Sequence, residues 1–140
     1  MFKKHAFRRV YIAVVKGCVK EDCGTWKSRL VELSNLNVVK THDPTKGKEA
    51  ITHFRVIKRI EGLTYLELTL ETGKKHQIRV HCKDSGHPIL GDKRYGVFQE
   101  GISRLMLHAY QLEFIHPFSH KKMSFTASVP GIFDKLVDGI

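Results

Sequence analysis

Apolar and polar residues alternate along most of this chain, and a two-residue period predicts strands rather than helices. In residues 10–15, Val10, Ile12 and Val14 point one way and Tyr11, Ala13 and Val15 the other, until Gly17 breaks the run. In LTYLELTLE, Leu66, Leu68 and Leu70 alternate with Glu67, Thr69 and Glu71, the pattern of a strand with one wet face. Met106, His108, Tyr110, Leu112 and Phe114 are expected to share a face, as are Met123, Phe125, Ala127 and Val129. HFRVIKRI reads as a less regular strand. Residues 41–50 and 85–96 carry prolines and glycines among polar neighbours and read as surface loops. One helix is expected, Lys74–Asp84, with Thr72 as its N-cap and Ser85-Gly86 followed by Pro88 as its stop. Strands without regularly intervening helices predict an α+β fold: a mixed, mainly antiparallel sheet with few short helices, in a single domain of residues 1–140.

Charge adds a partner class to that picture. The 140 residues hold 24 Lys and Arg against 14 Asp and Glu, a formal charge of +10. Such a surplus suits a polyanion, nucleic acid first, because neutralised phosphates release their counterions. Solubility alone is the alternative reading. Cys18, Cys23 and Cys82 are odd in number and show no framework spacing, which points to a reducing compartment and so to the cytoplasm. No apolar run approaches the ~20 residues of a membrane span. The apolar stretch at residues 10–15 is too short for a signal peptide and has no A-x-A-like site after it, although the absence of acids before Glu21 is shared with transit peptides.

The chemistry concentrates in residues 72–96, TGKKHQIRVHCKDSGHPILGDKRYG. On the expected helix Lys74, Lys75, His76 and Gln77 fall in the first turn, where free backbone N–H groups and basic side chains suit phosphate. Lys75, His76 and Arg79 lie on adjacent parts of one face, and Ile78 and Cys82 face the core. An arginine so held can grip a carboxylate or phosphate with two parallel bonds. A solvated surface helix is the plainer alternative. His76, His81, Cys82 and His87 suggest a metal only loosely. Five residues is a poor spacing for two ligands on one helix face, Cys18-x4-Cys23 is weaker still, and no metal is expected.

This same stretch resembles the signature of the RluA-type pseudouridine synthases, which read TGR-x-HQIRVH-x-x-x-x-GHPI-x-GD-x-x-YG. Three further segments follow the family's order: FRRVYIAVVKG (7–17), GKEAITHFRVI (47–57) and RLMLHAYQLEFIHPFSHKKMSFTASVP (104–130). The resemblance implies a partial pseudouridine synthase catalytic fold and a cofactor-free isomerisation of uridine to pseudouridine in rRNA or tRNA, with the nucleotide flipped out of its RNA. It implies that Tyr11 is the active-site tyrosine that stacks on the flipped base. Without the resemblance, Tyr11 reads as an ordinary strand tyrosine. It further implies that Arg79 pairs with the catalytic aspartate, that Arg9, Lys74, Lys75, His76 and Gln77 meet RNA, and that Asp92 is a turn residue. Arg9 and Lys74 depart from the family, which usually has Lys and Arg there. The larger departure is that no HRLD-like motif, the family's nucleophile, occurs in these 140 residues. Asp22, Asp43, Asp84, Asp134 and Asp138 lie in turns or near the end, outside any such context. The expectation is a C-terminal portion of the catalytic domain, inactive alone, with self-association through the sheet edge left by the missing part. A non-catalytic RNA-binding remnant or module is the alternative.

Overall fold

The computed structural model describes residues 7–96, 102, 104–115, 118–128, 130 and 131. The segments expected as strands form β1 (Phe7–Lys16), β4 (Lys48–Ile60), β5 (Leu63–Leu70), β6 (Leu107–Ile115) and β7 (Lys122–Thr126), and two strands the pattern did not reveal, β2 (Cys23–Glu32) and β3 (Val38–Thr41), join them. Helix α1 (Gln77–Asp84) follows β5. The strands make one seven-stranded sheet in the order β3-β2-β4-β5-β1-β6-β7, and every described pairing is antiparallel. That is the α+β architecture the periodicity predicts.

Registers identify the faces. Opposed residues of an antiparallel pair project to the same side, so Trp26, Thr52, Leu70, Arg9, Leu112 and Phe125 form one row across six strands. Helix α1 packs on this side. Gln77 and His81 both hydrogen-bond Thr52, and Ile78 and Cys82 join the core of Leu66, Leu68, Leu70 and Phe54. On β5, Leu66, Leu68 and Leu70 are 0%, 0% and 7% exposed, as their alternation predicts. The opposite side of β2, β4 and β5 is wet, with cross-strand pairs Lys27–Glu49, His53–Glu71 and Arg55–Glu67. Central β1 is buried on both sides, from Val10 through Val15 apart from half-buried Tyr11.

Two strands break their alternation. On β6, Val10 opposes Gln111 while Tyr11 opposes Ala109, so Tyr110 is an extra residue. This bulge puts His108 on the side of Ile12 and Leu112 on the side of Arg9, which corrects the expected common face of Met106 to Leu112. The Phe114 side chain and Val129, also assigned to such faces, lie outside the described residues. On β4 a register shift between Val56 and Lys58 inserts Ile57, 42% exposed, and accounts for the irregular pattern of HFRVIKRI.

Candidate functional site

The helix begins three residues later than expected. Gln77 is its first residue and His76 its N-cap, in the left-handed region at φ 55° and with no side-chain cap. Thr72 does not cap the helix. Its hydroxyl accepts the Ile51 N–H at 2.8 Å and donates to Gln77 Oε1 at 2.7 Å. Gln77 corrects a second expectation. Its side chain is turned into the protein, 2% exposed, where Oε1 also accepts the Lys74 N–H and Nε2 donates to Ile51 O and Thr52 Oγ1. An amide with all four hydrogen-bonding positions used is unsuited to meeting RNA. It closes the loop instead.

Lys74 and Lys75 therefore sit on the loop that leads into α1, both exposed, with Lys75 ion-paired to Glu32 of β2. Arg9 reaches this loop from the sheet. Its guanidinium lies against Gly73, where any Cβ would come within 1.9 Å of Arg9 Nη1. The lack of a side chain at Gly73 is what lets the arginine rest there.

Arg79 finds a carboxylate within the described residues. Its Nε and Nη2 donate to Asp92 Oδ2 and Oδ1 at 3.0 and 2.6 Å, a two-pronged grip that leaves Nη1 on the far edge. The resemblance reserves Arg79 for a catalytic aspartate, but here Asp92 occupies it. Asp92 is 1% exposed, and its Oδ1 also accepts the N–H groups of Arg94 and Tyr95. Burial alone would raise the Asp92 carboxyl. The bonds from Arg79, Tyr95 and Arg94 outweigh it and hold the group below its ordinary value, as an anion. With both oxygens engaged, Asp92 orients Arg79 and is not placed to attack anything. The preceding Gly91 must be glycine: its φ is +79° and a Cβ would lie 1.9 Å from Arg104 O. Tyr95 completes the cluster. Its ring centre is 5.2 Å from the Arg79 guanidinium, and its hydroxyl accepts Val38 N–H and bonds His76 Nδ1 at 2.7 Å. Burial, then the cations Arg79, Lys75 and Arg94, push the His76 imidazole down.

Tyr11 lies in a separate space. A cavity of about 430 Å³ opens between β1, β6 and β7 and is lined by Arg9, Tyr11, Tyr110, Gln111, Leu112 and Phe125 among others. Its position follows from the β6 bulge, which opposes Tyr110 to no partner on β1. A ring, a guanidinium and an amide around an open space can stack a planar base and hold its edges and phosphate. Arg9 and Tyr11 are thus brought together, and Arg9 ties them to the loop of Lys74 and Lys75. Arg79 does not line this cavity. Sequence reasoning missed three contributors: Asp92 as the partner of Arg79, Tyr95 as its neighbour, and the bulge at Tyr110. The GD-x-x-YG spacing held a signal for the first two, since Asp92 and Tyr95 are three apart in one turn.

Known proteins resemble this chain in sequence and in fold. A family model described as RNA pseudouridylate synthase matches residues 1–84. An uncharacterized RNA pseudouridine synthase of Bacillus subtilis, YjbO, is 38% identical over 98% of this chain and 48% of its own length. Ribosomal large subunit pseudouridine synthase D of Buchnera aphidicola is 37% identical over 93% of this chain and 45% of its own. Ribosomal large subunit pseudouridine synthase C of Vibrio vulnificus is 32% identical over 99% and 46%. The chain spans about half the length of these curated relatives. The solved structure of human RNA Pseudouridylate Synthase Domain Containing 1 shares the fold, with a TM-score of 0.76 and 23% identity over 89% of this chain and 56% of its own.

Proposed function

This chain belongs to the RNA pseudouridylate synthase family, and we propose that it supplies the base-binding side of an enzyme that isomerises uridine to pseudouridine in ribosomal or transfer RNA. In that reaction the bond from ribose C1′ to uracil N1 breaks, the base turns, and a bond from C1′ to C5 forms. The C5 proton is lost and N1 gains one, so no redox partner is needed. The observation that carries the reading is the cavity of about 430 Å³ lined by Arg9 and Tyr11. Tyr11 stacks on the extruded base and keeps water out, Arg9 takes a flanking phosphate, and Lys74, Lys75 and His76 meet the backbone beyond. Arg79, aligned by Asp92, offers its Nη1 edge to a nucleophilic aspartate from outside these 140 residues, which correspond to the C-terminal portion of the catalytic domain. The 140-residue polypeptide alone is accordingly inactive. A non-catalytic RNA-binding module is the second reading, favoured by the absence of an HRLD-like motif from the sequence.

Salt and substitution separate these readings. If about five phosphates are neutralised, log affinity for single-stranded RNA falls with log salt at a slope near −3.5. A flat response removes RNA binding altogether. Tyr11→Ala is expected to weaken binding of a uridine-containing RNA about tenfold, the worth of one stacked base. Unchanged affinity in that variant favours the module reading. Tritium release from RNA labelled at uridine C5 is expected to be absent with the chain alone, and any release overturns its inactivity.

A further inference from the structure

We propose that a second cavity, between β2, β3 and the C-terminal end of α1, is a nucleotide site that stacks one unpaired base of the RNA against Trp26 and holds its phosphate with Lys40. The proposal rests on the RNA reading above and extends it to a part of the chain, residues 23–41, outside every segment that carried the resemblance. The cavity measures about 260 Å³ and is lined by Trp26, Ser28, Lys40, His81, Asp84 and Ser85, with Thr25 and Lys27 at its margin. An aromatic face surrounded by hydroxyls and charges of both signs is what a nucleobase requires: a surface for its ring and partners for its polar edge.

The platform is built rather than incidental. Phe54 backs the half-buried indole of Trp26, with ring centres 4.6 Å apart and 26° between planes. His81 meets it edge-on at 6.4 Å and is itself fixed, Nε2 bonding Ser28 Oγ at 2.9 Å and Nδ1 bonding Thr52 Oγ1 at 2.8 Å. A binding group held by supporting contacts loses little freedom when a ligand arrives. Lys40 and Asp84, both exposed, divide the rim by charge. A phosphate is repelled by Asp84, so it belongs on the Lys40 side, while the carboxylate accepts an N–H of the base.

Placement links this site to the first. Trp26 and Arg9 stand in the same cross-strand row on the same face of the sheet, through Thr52 and Leu70. Three strand spacings separate β2 from β1, about 14 Å at about 4.8 Å each. That equals roughly four nucleotide steps at a stacked rise of 3.4 Å, and fewer in an extended strand. Thr52 and Leu70, between Trp26 and Arg9 in the row, are buried beneath α1, so an RNA strand that presents one base to Tyr11 and another to Trp26 passes around the helix, at a path longer than this direct line.

Trp26 is the only tryptophan in the chain, so its emission reports on this cavity alone. Hexauridylate is titrated into the 140-residue protein at low salt, with anisotropy of a labelled hexamer followed in parallel. Saturable quenching of Trp26 is expected at the concentrations where anisotropy rises. Trp26→Leu is expected to weaken hexamer binding about tenfold, and Lys40→Ala to shift both curves several-fold. Lys40 is exposed, so that variant decides the matter even where Trp26→Leu fails to fold. Hexamer binding without any change in Trp26 emission, or with affinity untouched by Lys40→Ala, overturns the second site and leaves the RNA reading standing. No hexamer binding at all overturns both.

Discussion

The two flanks of the sheet solve opposite problems with similar residues. On the flank beneath α1, polar side chains are committed to one another: Gln77 to Thr72, Ile51 and Thr52, His81 to Ser28 and Thr52, and Arg79 to Asp92. On the β1–β6–β7 flank the ladder is irregular at Tyr110 and the side chains line open space instead, with most of β7 exposed. The contrast teaches that a run of basic and amide residues does not mark its own contact surface. Some of them build the frame, and the room for a ligand lies where regular pairing fails, next to that frame.

Breaking the frame should have the largest effect. Asp92→Ala strands the Arg79 guanidinium and two backbone N–H groups, and is expected to lower stability by about 3–5 kcal/mol in urea unfolding. Asp92→Asn should lose less, since its amide oxygen still accepts from Tyr95. A loss below about 1 kcal/mol for the alanine variant would mean that the α1 flank is not the rigid one.

A middle-sized effect is expected from acid. Burial, the largest cause, pushes the His81 imidazole down to about 4, against about 6.5 in an unfolded chain. Between those values the unfolded state binds the extra proton, so stability falls as pH drops through that window, by about 3 kcal/mol in all. Asp92, held below its ordinary 3.8, adds a further loss only beneath that pH. Urea midpoints at pH 7 and 4.5 should differ for the parent and much less for His81→Asn. Equal pH slopes in the two proteins would remove His81 from the frame.

The smallest effect belongs to the other flank. Phe125 is 55% exposed on β7, and Phe125→Ala should cost under about 1 kcal/mol. A loss as large as that of Asp92→Ala would show β7 to be as tightly built as the helix side, and the contrast would collapse.

Legibility in the sequence followed the regularity of the ladder. β5 was readable because Leu66, Leu68 and Leu70 face the core while Glu67, Thr69 and Glu71 face outward without interruption. β6 and part of β4 were not, because a single inserted residue, Tyr110 or Ile57, inverts every later side chain while leaving composition unchanged. β2 and β3 escaped notice since Thr25, Lys27 and Ser28 dilute any apolar period. The candidate site divided the same way. Arg9 and Tyr11 fall in one cavity as their shared strand implies, whereas Gln77 faces inward and Arg79 meets Asp92. Those outcomes depend on contacts between segments far apart in the chain, which a local pattern does not record.

The position of β1 has a bearing on how this molecule is made. The strand that leaves the ribosome ahead of the other described strands ends up fifth of seven across the sheet, paired with β5 on one side and β6 on the other. Until residues 63–70 have been synthesised, Val10, Ile12 and Val14 have neither neighbour, and until residues 107–115 follow they have only one. During that interval an apolar ribbon with two unsatisfied edges is open to aggregation and to chaperone capture.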